Sequence, residues 1–256
     1  LELSVFHLNI RSLNKNQAEL HHFLNLLKVK FDIIVLSEVW SYNLEFYGNI
    51  FHEYTFYYDE PFTSRIGGVG IYVKNDWQCK VLTELKIKPN DKVVIENIWL
   101  ESTKAADTAK YIIGGIYLHP NSNIDVFNDM IEDVLSKIKQ TRLPSVIAGD
   151  INIDFSKYTV HPNTTNYVNT LLVNNFLPVI VMPTRITNES ATIIDHMYYF
   201  EGKNVKCNDL LIKSGNFWAD ITDHLPNFFL LLNVVNVINY CLMIDRSQEF
   251  TLNKIF

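Results

Sequence analysis

Several polar side chains stand at the ends of apolar stretches, where they could take part in chemistry. The stretch 3–10 has Asn9 near its end, and Glu38 closes the apolar run that begins at Asp32. The same placement is found further along the chain for Tyr117, Asp150, Asn152, Asp195, Asp223 and His224. In a layered sheet fold, strand ends converge on one edge, where a rigid scaffold holds the loops that carry function. We therefore expect these side chains to meet in one site.

The residue types in this set suit metal-assisted cleavage of a phosphate ester. Mg²⁺ prefers carboxylate and amide oxygens, often from only one or two protein carboxylates together with water and substrate phosphate. Phosphodiester hydrolysis also needs an oriented water, a donor to the phosphate and a group that assists the leaving oxygen. Taken singly, each residue has an ordinary structural explanation, because Asp and Asn form turns and a strand-end Glu is usually solvated.

The elements that would position these residues follow from the hydrophobic pattern. Residues 3–10 are strand-like, apolar residues at helical spacing predict a helix over 17–31, and 32–38 form a short buried strand. This order is typical of a sheet covered by helices. Further helices are predicted at 123–140 and 163–175. Further strands are predicted at 67–76, 93–100, 111–118, 145–149, 193–200, 205–213 and 227–234.

Composition narrows the class of protein. With 256 residues, 48% of them hydrophobic, the chain can bury a substantial core as one domain. The three cysteines have no close spacing, which argues against a disulfide framework or zinc site and favours a reducing compartment. We expect a soluble intracellular protein with no membrane partner, since no stretch is long and apolar enough to span a bilayer and the start lacks signal-peptide features.

Eight short segments, taken together and in order, resemble the motifs of the endonuclease/exonuclease/phosphatase superfamily. They are LNIRSL (8–13), LSEVW (36–40), GGVGIYV (67–73), IYLHP (116–120), AGDIN (148–152), PTRIT (183–187), IIDHM (193–197) and TDHLP (222–226). Two departures are mild, because Thr222 keeps the hydroxyl of the commoner serine and Ile151 keeps the apolar character of the commoner phenylalanine. The resemblance implies an α/β fold, the four-layer αββα sandwich of two mainly antiparallel sheets known as DNase I-like. It would occupy 1–234, with 235–256 as a C-terminal tail or the start of a linker to a following domain.

The resemblance also implies which residues handle the metal and the water. Glu38 would ligate Mg²⁺, or alternatively Mn²⁺, with Asn9 beside it. Asp223 would complete the set near the metal. Asp150 would orient or deprotonate the attacking water.

Phosphate contacts follow from the same motif matches. His224 would donate to a non-bridging phosphate oxygen, and Asp195 would orient its ring by accepting from the other nitrogen. Asn152 and Tyr117 would hold the scissile phosphate.

Three further motif residues, Thr184, Arg185 and Thr222, would contact substrate. For Arg185 an alternative stays open, because this side chain could instead pair with a surface carboxylate. His196 is interpreted as structural, since the preceding aspartate carries the motif. His119 is interpreted as an exposed loop residue.

Within the superfamily, the flanking sequence is most similar to the endonuclease domain of LINE-type, non-LTR retrotransposons. That domain nicks one strand of double-stranded DNA and leaves a 3′-hydroxyl, which primes a downstream reverse transcriptase domain of the same polyprotein. The resemblance therefore implies a Mg²⁺-dependent DNA endonuclease with these two partners and a nuclear location. The net charge of −6 counts mildly against tight nucleic-acid binding, but it is compatible with a hydrolase that contacts few phosphates.

Other functions stay open at the level of sequence. An abasic-site repair endonuclease is the main alternative, and other phosphoesterases of the superfamily share the same machinery. Lipid or inositol phosphatase activity is disfavoured, because the sequence has no basic cluster suited to a polyanionic headgroup. A decayed, non-catalytic binding domain is also disfavoured, since none of the residues matched to the motifs is missing.

Overall fold

Two six-stranded sheets form the centre of the computed structural model, which describes residues 2–27, 29–40, 43–62, 66–105, 109–202 and 210–233. The strands are β1 (Leu3–Asn9), β2 (Ile33–Ser37), β3 (Tyr54–Asp59), β4 (Val69–Lys74), β5 (Trp77–Val81), β6 (Ile95–Lys104), β7 (Lys110–Leu118), β8 (Ser145–Asp150), β9 (Leu177–Pro178), β10 (Arg185–Ile186), β11 (Ala191–Thr192), β12 (Asp195–Phe200), β13 (Leu210–Asn216) and β14 (Asn227–Asn233). The first sheet has the order β13-β14-β1-β2-β4-β3, and the second has the order β5-β6-β7-β8-β12-β9. Strands β10 and β11 form a separate hairpin.

Three α-helices cover the outer faces of the sheets in the part of the chain that is described. They are α1 (Leu13–Leu26), α2 (Ile124–Thr141) and α3 (Pro162–Val173), and short 3-10 helices occur at Leu44–Asn49, Thr83–Leu85 and Phe155–Lys157. Two of the starts are capped by side chains, since Ser12 accepts from Lys15 N and Asn123 accepts from Val126 N. None of the helices in the described ranges is long and apolar enough to cross a membrane.

The alternation of side chains along the strands explains the layers. In β1, Leu3 and Val5 pack into the core between the two sheets, whereas Phe6 and Leu8 pack under α1. Because both faces of the central strands are covered, these strands are apolar almost throughout. A third core lies between the second sheet and helices α2 and α3. The order helix, sheet, sheet, helices confirms the predicted α/β sandwich.

The strand pairing sets up the functional end of the sandwich. Most pairs are antiparallel, but β1 with β2 and β7 with β8 are parallel. The parallel registers place Asn9 beside Ser37 and Tyr117 beside Asp150. The antiparallel pair β8–β12 places Asp195 beside Asp150. Residues far apart in sequence therefore arrive at one end of the two sheets.

Several predicted boundaries shift in the structure. The helix predicted over 17–31 runs from Leu13 to Leu26, because the Ser12 cap starts it one turn earlier than the apolar stripe shows. The strand predicted at 205–213 is described only from Leu210 and continues to Asn216, paired with β14. The proposed boundary at 234/235 and the tail 235–256 lie outside the described residues.

Candidate active site

One asparagine joins carboxylates from the two sheets. β1 ends at Asn9, Glu38 directly follows β2, and β8 ends at Asp150. The amide nitrogen of Asn9 donates to Glu38 Oε1 and to Asp150 Oδ2, in both cases at 2.7 Å. These two acidic groups are therefore held next to each other at the strand ends, in the arrangement that a hard cation requires.

Left-handed backbone at the turns aims these side chains into the site. The φ angles of Glu38, Trp40 and Asn152 are 54°, 53° and 53°. Residues other than glycine rarely adopt such angles, and here three of them lie around one site. The turn at Glu38 is held in place because the Trp40 indole nitrogen donates to Glu38 Oε2 at 2.8 Å and the Trp40 backbone nitrogen donates to Gly67 O at 3.0 Å.

A buried aspartate orients a histidine on the other side of Asp150. Nδ1 of His224 lies 2.8 Å from Asp195 Oδ2, and both side chains are almost completely buried. Potential ligand atoms of Asp150, Asp195 and His224 all lie within 4.8 Å of one another. Because Asp195 engages Nδ1, Nε2 is the ring nitrogen that can donate to a ligand.

Electrostatics assign a protonation state to each member of this trio. Burial alone would lower the pKa of His224, but the charge and hydrogen bond of Asp195, together with Asp150 and Asp223, raise it to about 9. Burial raises the pKa of Asp150, and the neighbouring Asp195 adds to that increase. Burial also works against ionised Asp195, yet the charge and hydrogen bond of His224, together with His7 and Thr184, lower the pKa of Asp195. At neutral pH His224 is thus an imidazolium and Asp195 is a carboxylate. They lie beside Asp150, whose pKa is raised.

Asp223, predicted to lie near the metal, is held between two arginines. Its Oδ1 accepts from Arg11 at 2.6 Å and its Oδ2 accepts from Arg185 at 2.8 Å. Burial raises the pKa of Asp223, but these two hydrogen bonds outweigh it and lower the pKa to about 2. Both carboxylate oxygens are occupied by guanidinium groups, whose fixed positive charge opposes a cation beside them, so Asp223 fits a metal ligand poorly. Arg185 does pair with a carboxylate, and its predicted contact with substrate stays a prediction.

Asp223 and its two arginines leave positive charge at the edge of the site. Two guanidinium groups face one carboxylate, and the side chains of Arg11 and Arg185 are 42% and 39% exposed. A net positive charge therefore remains at the rim, beside His224. Such a charge can attract an anionic phosphate group.

Tyr117 and Asn152 lie on either side of Asp150. The hydroxyl of Tyr117 hydrogen-bonds Glu38, and burial, reinforced by Glu38 and Asp150, raises the pKa of this phenol well above its usual range. Tyr117 is therefore a neutral donor. The backbone nitrogen of Asn152 donates to Asp150 Oδ1 at 3.0 Å, and its side-chain nitrogen donates to Leu118 O at 2.8 Å. Both predicted phosphate-binding residues thus belong to the same cluster as the carboxylates.

The two threonines predicted to contact substrate support the site from behind. Thr184 has no exposed surface, and its hydroxyl accepts from the backbone nitrogen of Asp195 at 3.0 Å. The hydroxyl of Thr222 donates to Asn9 O at 3.0 Å and accepts from the backbone nitrogen of His224 at 3.1 Å. Both threonines thus hold the backbone of catalytic candidates, and their predicted contact with substrate stays a prediction.

A second acid–histidine pair, not foreseen from the sequence, lies beside Tyr117. Nε2 of His119 is 3.1 Å and 3.0 Å from the two carboxylate oxygens of Glu96, whose side chain is 1% exposed. The rings of Tyr117 and His119 have centroids 4.7 Å apart. His119 is therefore paired and mostly buried, which corrects its interpretation as an exposed loop residue. The pairing of His119 with Glu96 depends on the contact between β6 and β7, which the sequence does not show. The one indication in the sequence is that His119 follows the motif residue Tyr117 by two positions.

Comparison with known proteins places this site in a family. Residues 6–224 match the model of the Endonuclease/Exonuclease/phosphatase family, a span that contains every side chain of the cluster. The chain belongs to this family. Its members are hydrolases that act on phosphoester bonds. No curated protein gives a significant sequence match.

Solved structures share the fold at low sequence identity. The endonuclease domain of TRAS1, a telomere-specific non-LTR retrotransposon, is 15% identical with a TM-score of 0.61, covering 91% of this chain and 98% of that one. An AP endonuclease from Archaeoglobus fulgidus is 16% identical with a TM-score of 0.66, covering 89% and 98%. A mannosyl-6-phosphatase from Bacteroides thetaiotaomicron is 14% identical with a TM-score of 0.65, covering 90% and 99%. At these identities the likeness establishes the DNase I-like fold alone.

The residues of this family member fit a divalent cation. Glu38 and Asp150 are held together by a single amide, and the pKa of Asp150 is raised first by burial and then by the neighbouring Asp195. In addition, Asp195 Oδ1 is buried without a hydrogen-bond partner among the described residues. A hard cation satisfies carboxylate oxygens of this kind and reduces their mutual repulsion.

Proposed function

We propose that this family member is a Mg²⁺-dependent endonuclease that nicks double-stranded DNA and leaves a 3′-hydroxyl. The observation that carries the hydrolytic part is the Asn9 amide that joins Glu38 to Asp150, within reach of the Asp195–His224 pair. Negative groups for a cation and a positive donor for a phosphate thus flank the same space. Phosphodiester hydrolysis needs both features.

Each residue has a defined task in this reaction. Glu38 and Asn9 would hold the cation, which, when bound, supplies positive charge that neutralises the phosphate. Asp150 would accept a proton from the attacking water, with its carboxylate fixed by Asn9 and by the backbone nitrogen of Asn152. His224 and Tyr117 donate to the phosphate oxygens as its negative charge builds up.

The bond changes follow from this placement. The water oxygen forms a bond to phosphorus, and the bond from phosphorus to the 3′-oxygen breaks. Asp150 holds the proton removed from the attacking water, and the leaving 3′-oxygen takes up a proton from solvent water. The products are a 3′-hydroxyl and a 5′-phosphate.

Three observations support DNA as the substrate. The motifs are most similar to those of LINE-type endonucleases, and the fold is shared with the TRAS1 endonuclease domain and an AP endonuclease. Arg11 and Arg185 leave positive charge at the rim of the site. The indole of Trp218, in the loop before Thr222, is 82% exposed and can stack on a base.

The setting of the reaction is part of the proposal. We infer that the nick primes a reverse transcriptase domain of the same polyprotein and that the protein acts in the nucleus, where its target lies. The net charge of −6 predicts weak DNA binding by this domain alone. Affinity would then come from the neighbouring domain.

The test is a nicking assay on supercoiled plasmid with Mg²⁺. We expect nicked circles that DNA polymerase extends from the nick, no reaction in EDTA, and a loss of rate by orders of magnitude in His224→Ala. A preparation that cleaves neither plasmid nor abasic oligonucleotide would refute the proposal. Turnover of a sugar phosphate alone would assign the chain to the phosphatase branch of the family.

An abasic-site endonuclease is the second candidate, favoured by the shared fold with the archaeal AP endonuclease. This function predicts much faster cleavage at an abasic site than in intact duplex. The same assay therefore includes two oligonucleotides that differ only at that position. Equal rates on both would favour the nicking endonuclease.

A further inference from the structure

A row of buried polar side chains lies directly beneath the candidate active site. In β1 and β2, Val5 and Val35 belong to the apolar core between the sheets, but the next inward-facing positions are His7 and Ser37. His7 and Ser37 have no exposed surface, and Asn227 on β14 is 1% exposed. Burying such groups costs free energy unless each one finds a hydrogen-bond partner. These side chains can therefore be buried here only if they form hydrogen bonds within the core.

The distances show that this network is continuous. Ser37 Oγ lies 3.0 Å from His7 Nε2 and accepts from the backbone nitrogen of Asp150 at 3.2 Å. His7 Nδ1 lies 3.3 Å from Asn227 Oδ1. The side-chain nitrogen of Asn227 donates to Asn216 Oδ1 at 3.0 Å. One histidine thus links the backbone of the predicted general base to strands β14 and β13.

For a neutral His7 ring, the donors and acceptors can be arranged in only one consistent way. The Asn227 oxygen is an acceptor, so His7 must carry its proton on Nδ1. Nε2 is then an acceptor, and it receives the proton of the Ser37 hydroxyl. The other acceptor near Ser37, Ile116 O, is more distant at 3.5 Å.

The far end of the network reaches the other half of the site. The side-chain nitrogen of Asn216 donates to Pro183 O at 2.7 Å. The next residue, Thr184, accepts from the backbone nitrogen of Asp195. The network therefore runs from the segment that holds Asp150 to the segment that holds Asp195.

We propose that His7 is a positioning residue, which fixes Asp150 through Ser37 and couples it to the Pro183–Thr184 segment that holds Asp195. The kinetic consequence rests on the proposed hydrolysis, whereas the hydrogen-bond arrangement does not. His7 touches no reacting atom. Its effect is to keep the proton acceptor at one distance from the attacking water.

The first test compares Ser37→Ala, His7→Leu and His7→Gln in the nicking assay. We expect Ser37→Ala and His7→Leu to lower kcat on the order of tenfold to a hundredfold with little change in KM, because a base displaced by about 1 Å loses reactivity without losing substrate contacts. His7→Gln should recover most of the rate, since a glutamine amide can both accept from Ser37 and donate to Asn227. The control is His22→Leu, at an exposed position on α1, which should match the wild type.

The second test needs no activity. In the metal-free protein, ¹⁵N NMR of the ring should show His7 as the neutral tautomer protonated on Nδ1, and Ser37→Ala should shift the Nε2 resonance while Nδ1 stays protonated. A proton on Nε2, or a kcat of Ser37→Ala equal to that of the wild type, would overturn the proposal. If the wild type cleaves no DNA, the proposed function fails while the NMR result still decides the arrangement. If His7→Leu does not fold, Ser37→Ala decides the kinetic part.

Discussion

The pairing of Asp195 with His224 makes a sharp prediction about the pH dependence of activity. Asp195→Asn keeps the size of the side chain but removes its charge. In the native protein, interactions with Asp195 are the largest of the effects that raise the pKa of His224 to about 9, against burial, which lowers it. Without that charge, burial should return the pKa of His224 to about 6.5 or below.

The magnitude follows from this change. A difference of about 2.5 pH units corresponds to about 3 kcal/mol of differential interaction between the two protonation states. At pH 7.5 a group with a pKa of about 9 is almost fully protonated, whereas one with a pKa of about 6.5 is protonated to about a tenth. If the imidazolium is the form that donates to the phosphate, the variant should lose at least about tenfold in rate at pH 7.5. Part of this loss should be regained at acidic pH.

The assay is the initial rate of plasmid nicking between pH 5.5 and 9.5 at saturating Mg²⁺. For the wild type, the alkaline limb of kcat/KM should lie near pH 9, and for Asp195→Asn it should move to about 6.5. Asp91→Asn, at an exposed loop position, is the matched control and should leave the profile unchanged. An Asp195→Asn enzyme with a wild-type rate and an alkaline limb still near pH 9 would refute the reasoning.

Three further outcomes are expected. Glu38→Gln should raise the Mg²⁺ concentration for half-maximal rate by at least about tenfold, because even the loss of a residue that only hydrogen-bonds a metal ligand lowers metal affinity by about that factor. An unchanged Mg²⁺ titration would exclude Glu38 as a ligand. Burial lowers the pKa of His196 to about 4, below its unfolded value near 6.5. The contribution of His196 to the free energy of unfolding is therefore fully present at neutral pH, and up to about 3 kcal/mol is lost as the pH falls from about 6.5 to 4. Urea unfolding should show a smaller loss over this range in His196→Phe, and equal losses would contradict the argument. Trp218→Ala should raise KM for DNA about fivefold or more at similar kcat, because base stacking contributes about 1–3 kcal/mol. The control is Leu26→Ala, at a residue that is 63% exposed at the end of α1, and it should leave KM unchanged. An equal KM in both variants would show that Trp218 does not contact DNA.

The charge of Asp223 is used differently from what the motif resemblance implies. Asp223 was predicted to lie near the metal, but it serves as the shared partner of Arg11 and Arg185. Removal of Asp223 would therefore release two arginines instead of one metal ligand. The proposed cation then lies beside Glu38 and Asp150, which the amide of Asn9 holds together.

Local sequence determined most of the architecture. Alternating and continuous apolar runs predicted β1, β2, β8 and the helices, since side-chain direction repeats every two residues in a strand and every 3.6 in a helix. The polar residues at the ends of those runs, Asn9, Glu38 and Asp150, could be singled out for the same reason. Boundaries were less certain from the pattern, because helix caps such as Ser12 lie outside the apolar stripe.

Only the tertiary structure decided which polar groups became partners. Arg11 and Asp223 are 212 residues apart, and His7 and Asn227 are 220 apart. His7 and Asn227 meet because β1 and β14 lie side by side, and Arg11 and Asp223 meet in the loops at the end of the same two strands. The pattern of one strand shows that a residue faces inward, but not which donor the neighbouring strand places opposite it. Hydrogen bonds are directional and act over about 3 Å, so the register and spacing of the two sheets determine whether a buried side chain is a ligand, a base or a support.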